Sequence, residues 1–181
     1  GPSLDKRKIQ GLVSGTQWHE FIELNRMAFD DVLPRNSESR AIAVAMRLLK
    51  QHAPQLKWVI TFADGVQCGD GVQCGDGTIY RAAGFVLTGV REGEELLRLP
   101  SGEVCHRIAL HTNDKLVAAM GGKMASVPKI AQFLNATVKP GFMMRYIYFL
   151  DPSYRQRLTV PELPYSEIER VGAGMYKGEK R

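Results

Sequence analysis

Glu23–Leu49 reads ELNRMAFDDVLPRNSESRAIAVAMRLL, and its two halves follow different periodicities. Up to Asp30, apolar and polar residues alternate loosely. Phe21, Ile22, Leu24, Met27 and Phe29 supply the apolar side chains, and Trp18–Asp30 is predicted as a strand. Pro34 with Asn36, Ser37 and Ser39 then brings turn and helix-start chemistry, because short side-chain oxygens can accept from free helix amides. From Ser39 to Gln51 the pattern is helical. Ile42, Ala45, Met46 and Leu49 recur at i, i+3, i+4 and i+7, while Arg40, Arg47 and Lys50 lie off that stripe. A strand that delivers a basic turn onto a helix start offers an anion site: free amides and the positive end of the helix dipole face the ligand, and Arg35 and Arg40 add charge. The same residues also fit an ordinary capped helix with two exposed arginines.

His52-Ala53-Pro54 stops the helix, and Lys57–Ala63, KWVITFA, reads as a short buried strand. Next comes Asp64–Tyr80, DGVQCGDGVQCGDGTIY, which opens on one hexapeptide written twice. No lysine follows its glycines as a phosphate-binding P-loop requires, and no long helix follows as a dinucleotide fingerprint requires. Cys68 and Cys74 lack the close spacing of a zinc knuckle, and a closing Glu for a calcium loop is missing. His106 and His111, on a predicted strand, would point to opposite faces. These patterns give no metal ligand set. The repeat is read as a tandem duplication in a surface turn, where added length costs little. Its flanks, Asp64 and Tyr80, are then the residues of interest, with Asp70 and Asp76 sharing the register of Asp64.

Further along, Gly77–Ala83 is predicted as a short helix and Phe85–Val90 as a strand. Glu94–Arg98 and Val104–Leu110 form an expected hairpin, followed by helices over Asn113–Ala119 and Val127–Leu134 and a strand over Arg145–Leu150. Pro152, Pro161 and Pro164 predict an extended, irregular tail. The fold class is α/β: a mixed central sheet flanked by helices in one domain over 1–150, with a tail over 151–181 packing on that domain.

The 181 residues suffice for a real core, and 44% hydrophobic with 24% charged residues is ordinary globular composition. No apolar run approaches membrane-spanning length, so no membrane partner is expected. Three cysteines argue against a disulfide scaffold and for a reducing compartment. A net charge of +5 and a pI near 9.2 suit an anionic partner without requiring one.

The order of parts carries a resemblance. A strand, an arginine-bearing turn and a helix, as in ELNRMAFDDVLPRNSESRAIAVAMRLL, resemble motif A of the acetyl-CoA-dependent N-acyltransferase (GNAT-like) superfamily. GTIYRAAGF resembles its motif B, a short helix carrying a tyrosine and ending in Gly-Phe. More narrowly, FIELNRMAF, LPRNSESRAIA and RYIYFLDPSYRQRLTVPELPYSEI are similar to the bacteriophage Mom DNA-adenine modification proteins. The similarity runs from about Gly1 to about Gly178. GPSLDKRK resembles sequence from inside those proteins, so N-terminal strands bearing a His-His-Tyr segment are expected to be missing here.

The resemblance implies an acyltransferase-like enzyme that converts adenine to N6-carbamoylmethyladenine in phage DNA, shielding it from restriction in the host bacterial cytoplasm. Its cofactor would be acetyl-CoA or a related acyl-CoA, with the pyrophosphate at Arg35, Asn36, Ser37, Ser39 and Arg40. Its catalytic positions would be Arg26, Asp64 and Tyr80, acting on an adenine flipped from double-stranded DNA. Arg145, Arg155 and Arg157, with Tyr146, Tyr148 and Tyr154, would grip the DNA backbone, although Tyr146 and Tyr148 fit equally well as sheet side chains. Glu38 and two serines replace glycines in the turn, leaving the backbone less room. An acyl donor alone would leave an amide on N6, so a further step, donor or redox metal is implied and no residue is assigned to it. The alternatives are a CoA-dependent N-acetyltransferase acting on a protein or small-molecule amine, and a non-catalytic DNA-binding protein.

Overall fold

A computed structural model describes residues 6–25, 27, 29–30, 32–66, 75–92, 96–106, 114–121, 126–139 and 141–172. The main sheet grows from the apolar runs. Strand β1 spans Phe21–Leu24, β2 Trp58–Val66 and β3 Val86–Glu92. The late strand, Gly141–Phe149, is the seventh in chain order and is called β7. The strand order is β1-β2-β7-β3: β1 and β2 are parallel, and β7 runs antiparallel to both β2 and β3. Thus β7, met last in the sequence, lies inside the sheet. Its register places Thr61 and Leu87 on either side of Tyr146.

Helix α2, Ser37–His52, crosses over between β1 and β2. The expected stripe faces inward at Ile42 and Met46, which pack with Val59, Ala63, Phe85, Leu87, Met144 and Tyr146, and at half-buried Leu49, whereas Ala45 is exposed at its edge. The short helix α3, Thr78–Ala82, contributes Ile79 and Tyr80 to the same core. On the opposite face, helix α1, Lys6–Gln10, and the residues after it bring Ile9, Leu12 and Val13 against Phe21, Trp58, Ile60 and Ile147. Phe21 stacks on Trp58 with ring centroids 4.4 Å apart.

A smaller sheet, ordered β5-β4-β6, joins β4 (Leu96–Arg98), β5 (Val104–His106) and β6 (Thr137–Lys139). The expected hairpin is its β4–β5 pair, with Leu96 opposite His106. Helix α4 spans Asp114–Ala119, and α5, Val127–Leu134, buries Ile130 against Leu97.

Two expectations need correction. Trp18–Asp30 is not one strand: Trp18–Glu20 is a 3₁₀ turn, and among the described residues of that stretch only Phe21–Leu24 pair. The Glu20 carboxylate accepts from the Gln17 amide at 2.6 Å, a capping interaction that holds the turn. The segment after Leu150 is also more regular than its prolines suggest. It forms a 3₁₀ turn over Pro152–Arg157 and a last helix, α6, over Ser166–Arg170. That segment is bound to both ends of the core. Leu158 bridges Val13, the Thr159 amide donates to the Leu12 carbonyl, and the Leu163 amide donates to the Leu87 carbonyl. Among the described residues, no helix is long and apolar enough to cross a membrane.

Candidate active site

Connectivity brings the candidate residues to one end of the sheet. Because β1 and β2 are parallel, α2 must run back against them. A short link from His52 to Trp58 fixes the C-terminal end of α2 at the start of β2. The N-terminal end of α2 then lies at the level where β1 and β2 finish, together with the approach to α3. Open α/β sheets bind ligands beyond the carboxyl ends of their strands. The two strands also part there: pairing stops at Leu24 and Thr61, yet β2 continues to Val66 against β7. The Thr61 hydroxyl donates to the Leu24 carbonyl at 2.9 Å and pins the point of divergence.

At the start of α2, Asn36 has φ +68°, the left-handed conformation that glycine takes most readily and asparagine tolerates. The turn therefore has a glycine-like backbone without glycine. Ser37 donates its hydroxyl to the Pro34 carbonyl at 2.6 Å, and Ser39 donates to the Asn36 carbonyl at 3.1 Å. Asn36 makes no side-chain cap to the first turn. Both serine hydroxyls thus brace the turn from below, and the Ser37 amide also donates to the Pro34 carbonyl, at 3.2 Å. Arg35 and Arg40 are exposed beside it, while Ser39 is buried. This donor set, with uncapped amides and two guanidinium groups, fits a diphosphate. Glu38, also in the first turn, opposes it electrostatically.

The start of α3 is built the other way. The Asp76 carboxylate accepts from the Thr78 amide at 2.9 Å and the Thr78 hydroxyl at 2.6 Å. The Asp76 carbonyl accepts from the Tyr146 hydroxyl at 2.5 Å. Gly77 has φ +78°, and a Cβ there would sit 2.3–2.6 Å from the Tyr146 ring. Burial, followed by the Asp76 carboxylate, holds the Tyr146 phenol well above its ordinary range. Tyr80, half-buried, packs its ring 5.6 Å from Tyr146 and 5.7 Å from Phe85. Sequence reasoning missed this lock, although Asp-Gly-Thr is recognisable side-chain turn chemistry.

Of the other expected positions, Asp64 lies near the end of β2, in register with Met143. Arg26, Asp70, Cys68 and Cys74 fall outside the described residues. The structure therefore brings Tyr80 and the Arg35–Arg40 turn onto one face of the sheet, whereas Asp64 holds the alternate register of β2 that it shares with Ile60 and Phe62, which belong to the core on the opposite face.

The three late arginines have partners within the protein. Arg145 donates to the Thr88 hydroxyl at 3.0 Å and the Thr88 carbonyl at 2.7 Å, across a bulge in β3, with its head group against Gly89. Burial lowers its pKa from the ordinary arginine value. Arg155 makes a bidentate pair with Glu162, both bonds 2.6 Å. Arg157 donates to the Ser14 carbonyl at 2.8 Å and lies 3.9 Å over the Tyr154 ring, whose hydroxyl donates to Glu20. Tyr146 is fully buried, and half-buried Tyr148 packs against Phe85.

Residues 1–167 match the Mom protein family. The methylcarbamoylase Mom of Escherichia phage Mu is 34% identical over 161 residues, covering 88% of this chain and 60% of that protein. The chain thus spans 60% of the length of this relative.

Proposed function

This chain belongs to the Mom protein family, and we propose that it is a DNA modification enzyme converting adenine to N6-carbamoylmethyladenine. The observation that carries the reading is the identity to a methylcarbamoylase across most of the chain. The geometry supports it. The arrangement β1, basic turn, α2, β2, α3 with Tyr80, then Phe85 follows the acyltransferase-like order, and the uncapped start of α2 faces the end where β1 and β2 part.

The carrier in this reading is acetyl-CoA or a related acyl-CoA, whose activated acyl group would account for acylation of N6 alone; the carbamoylmethyl product requires in addition a nitrogen donor and a further step, to which no residue is assigned. Arg35 and Arg40 would bind its diphosphate at the turn formed by Asn36, Ser37 and Ser39. The acceptor is an adenine extruded from double-stranded DNA, because its N6 is otherwise paired inside the duplex. As the N6 nitrogen bonds to the donor carbon it must lose one proton, and the departing group must gain one. The first transfer is assigned to the aspartate of the Asp64 register, a position that Asp70 and Asp76 share. Tyr80 is assigned the second, or holds the base by stacking. Arg26 would bind a carbonyl or phosphate oxygen. Arg145 uses only part of a five-donor guanidinium on Thr88, and its remaining donors suit a phosphate oxygen. Arg155 and Arg157 would add positive field along the DNA path. An altered N6 removes a donor that restriction enzymes read in the major groove, which would protect phage DNA in the host cytoplasm.

Nucleoside mass spectrometry of DNA from cells expressing the protein tests this. Deoxyadenosine carrying a carbamoylmethyl increment is expected. Unmodified deoxyadenosine, with thiol release from acetyl-CoA in the presence of small amines, would favour an N-acetyltransferase instead.

A further inference from the structure

Extruding a base leaves a gap in the stack, and enzymes that open duplexes commonly fill such gaps with an apolar side chain. Among the described residues, Val32 is the most exposed large apolar side chain at 84%, and its neighbour Leu33 is 45% exposed. Both lie in the loop between β1 and α2, at the end of the sheet where the candidate site gathers. Their presentation is built: the Val32 amide donates to the Asp30 carboxylate at 3.1 Å, and the Leu33 amide donates to the Asp30 carbonyl at 3.1 Å. Two linked bonds from one aspartate fold the chain into a tight turn with its apolar pair outward. That arrangement also ties the Asp30 carboxylate to the turn.

The surroundings specify the occupant. Arg35 and Arg40, both exposed, follow the pair within the same loop and first helical turn. Because those two arginines are assigned to the carrier's diphosphate, the apolar tip stands at the mouth of the proposed site, where an extruded adenine must leave its stack to reach the carrier. The other exposed apolar residues lie away from this loop tip: Phe133 and Val138 lie in or beside the smaller sheet, and Val44 and Leu48 sit on the exposed side of α2.

Resting on the DNA-modification reading, we propose that Val32 and Leu33 form a wedge that enters the duplex stack and fills the space left by the target adenine. Positioning is the role of the pair; the chemistry remains with other residues.

The test measures binding of three probes to the wild type and to a Val32→Ser/Leu33→Ser variant. The probes are a short duplex with one abasic site, the intact duplex and the single strand. The wild type is expected to prefer the abasic duplex over the intact one by roughly tenfold, because the unstacking cost is already met. In the variant this preference should fall to about one, with single-strand affinity and the dependence of binding on salt unchanged. A variant that keeps the preference overturns the wedge, as does one that loses single-strand affinity in parallel. Wild-type self-association abolished by the two serines would assign the tip to a second copy and also overturn it. A wild type that binds none of the probes removes the DNA reading itself, so the two failures are distinguishable.

Discussion

The starts of α2 and α3 border the same end of the sheet, and they are finished in opposite ways. At α3 the side chains are turned on the protein itself: Asp76 caps Thr78, Tyr146 binds the Asp76 carbonyl, and the Tyr146 ring leaves no room for a side chain at position 77. At α2 the two serines donate to carbonyls beneath the turn, the side chain of Asn36 caps nothing, and two arginines point to solvent. The first is a closed structural joint. The second has donors to spend on a ligand. Changes at α3 should therefore cost stability, whereas changes at α2 should cost binding.

The largest expected effect is at Gly77. Gly77→Ala meets both a left-handed backbone and the Tyr146 ring, and should destabilise by about 3 kcal/mol. Chemical denaturation would read this as a lower midpoint. An unchanged midpoint would mean that α3 is not locked. Tyr146→Phe should cost about 1–2 kcal/mol, the loss of a buried hydrogen bond that leaves the Asp76 carbonyl unpaired. Its pH dependence has a definite sign. The folded-state phenol is held above its ordinary pKa, so its contribution is complete below about pH 10 and is lost as pH rises beyond that. The gap between wild type and Tyr146→Phe should therefore narrow in alkali.

At α2 the pattern should reverse. Arg35→Ala/Arg40→Ala should weaken acetyl-CoA binding by about tenfold in calorimetry, while stability moves by less than about 0.5 kcal/mol. A large stability loss without a binding change would erase the contrast between the two helix starts.

The smallest effect belongs to the C-terminal segment. Arg155→Ala removes an exposed pair and should cost no more than about 1 kcal/mol. The Arg155 guanidinium holds Glu162 below its ordinary value, and hydrogen bonds from Ser153 do the same for Asp151. Their contribution is present above the ordinary carboxylate range near pH 4 and is lost as pH falls through the lowered values. Hydrogen-exchange protection factors over residues 151–172, which take out the slower intrinsic exchange in acid, should fall in that window, and less so in Arg155→Ala.

The contrast also shows what the sequence could reveal. Helix α2 was legible because Ile42 and Met46 face the core at helical spacing, and β2 because its apolar run is buried. Helix α1 was missed although Ile9, Leu12 and Val13 have the spacing of a helix face; a charged, very short segment hides it. The expected start of β7 at Arg145 was four residues late, because its true beginning, Gly141-Phe142, follows a proline that reads as a break. The turn carries Glu38 and two serines in place of glycines, and its left-handed position falls on Asn36, a residue that tolerates that backbone. The Tyr146–Gly77 contact joins residues far apart in sequence, and no local pattern encodes it.

Nucleoside analysis of DNA from cells expressing wild type or Arg35→Ala/Arg40→Ala tests the central claim most directly. The account predicts carbamoylmethyl-deoxyadenosine with the wild type and little of it with the folded double variant. Unmodified deoxyadenosine from the wild type, or equal modification by both proteins, would contradict it.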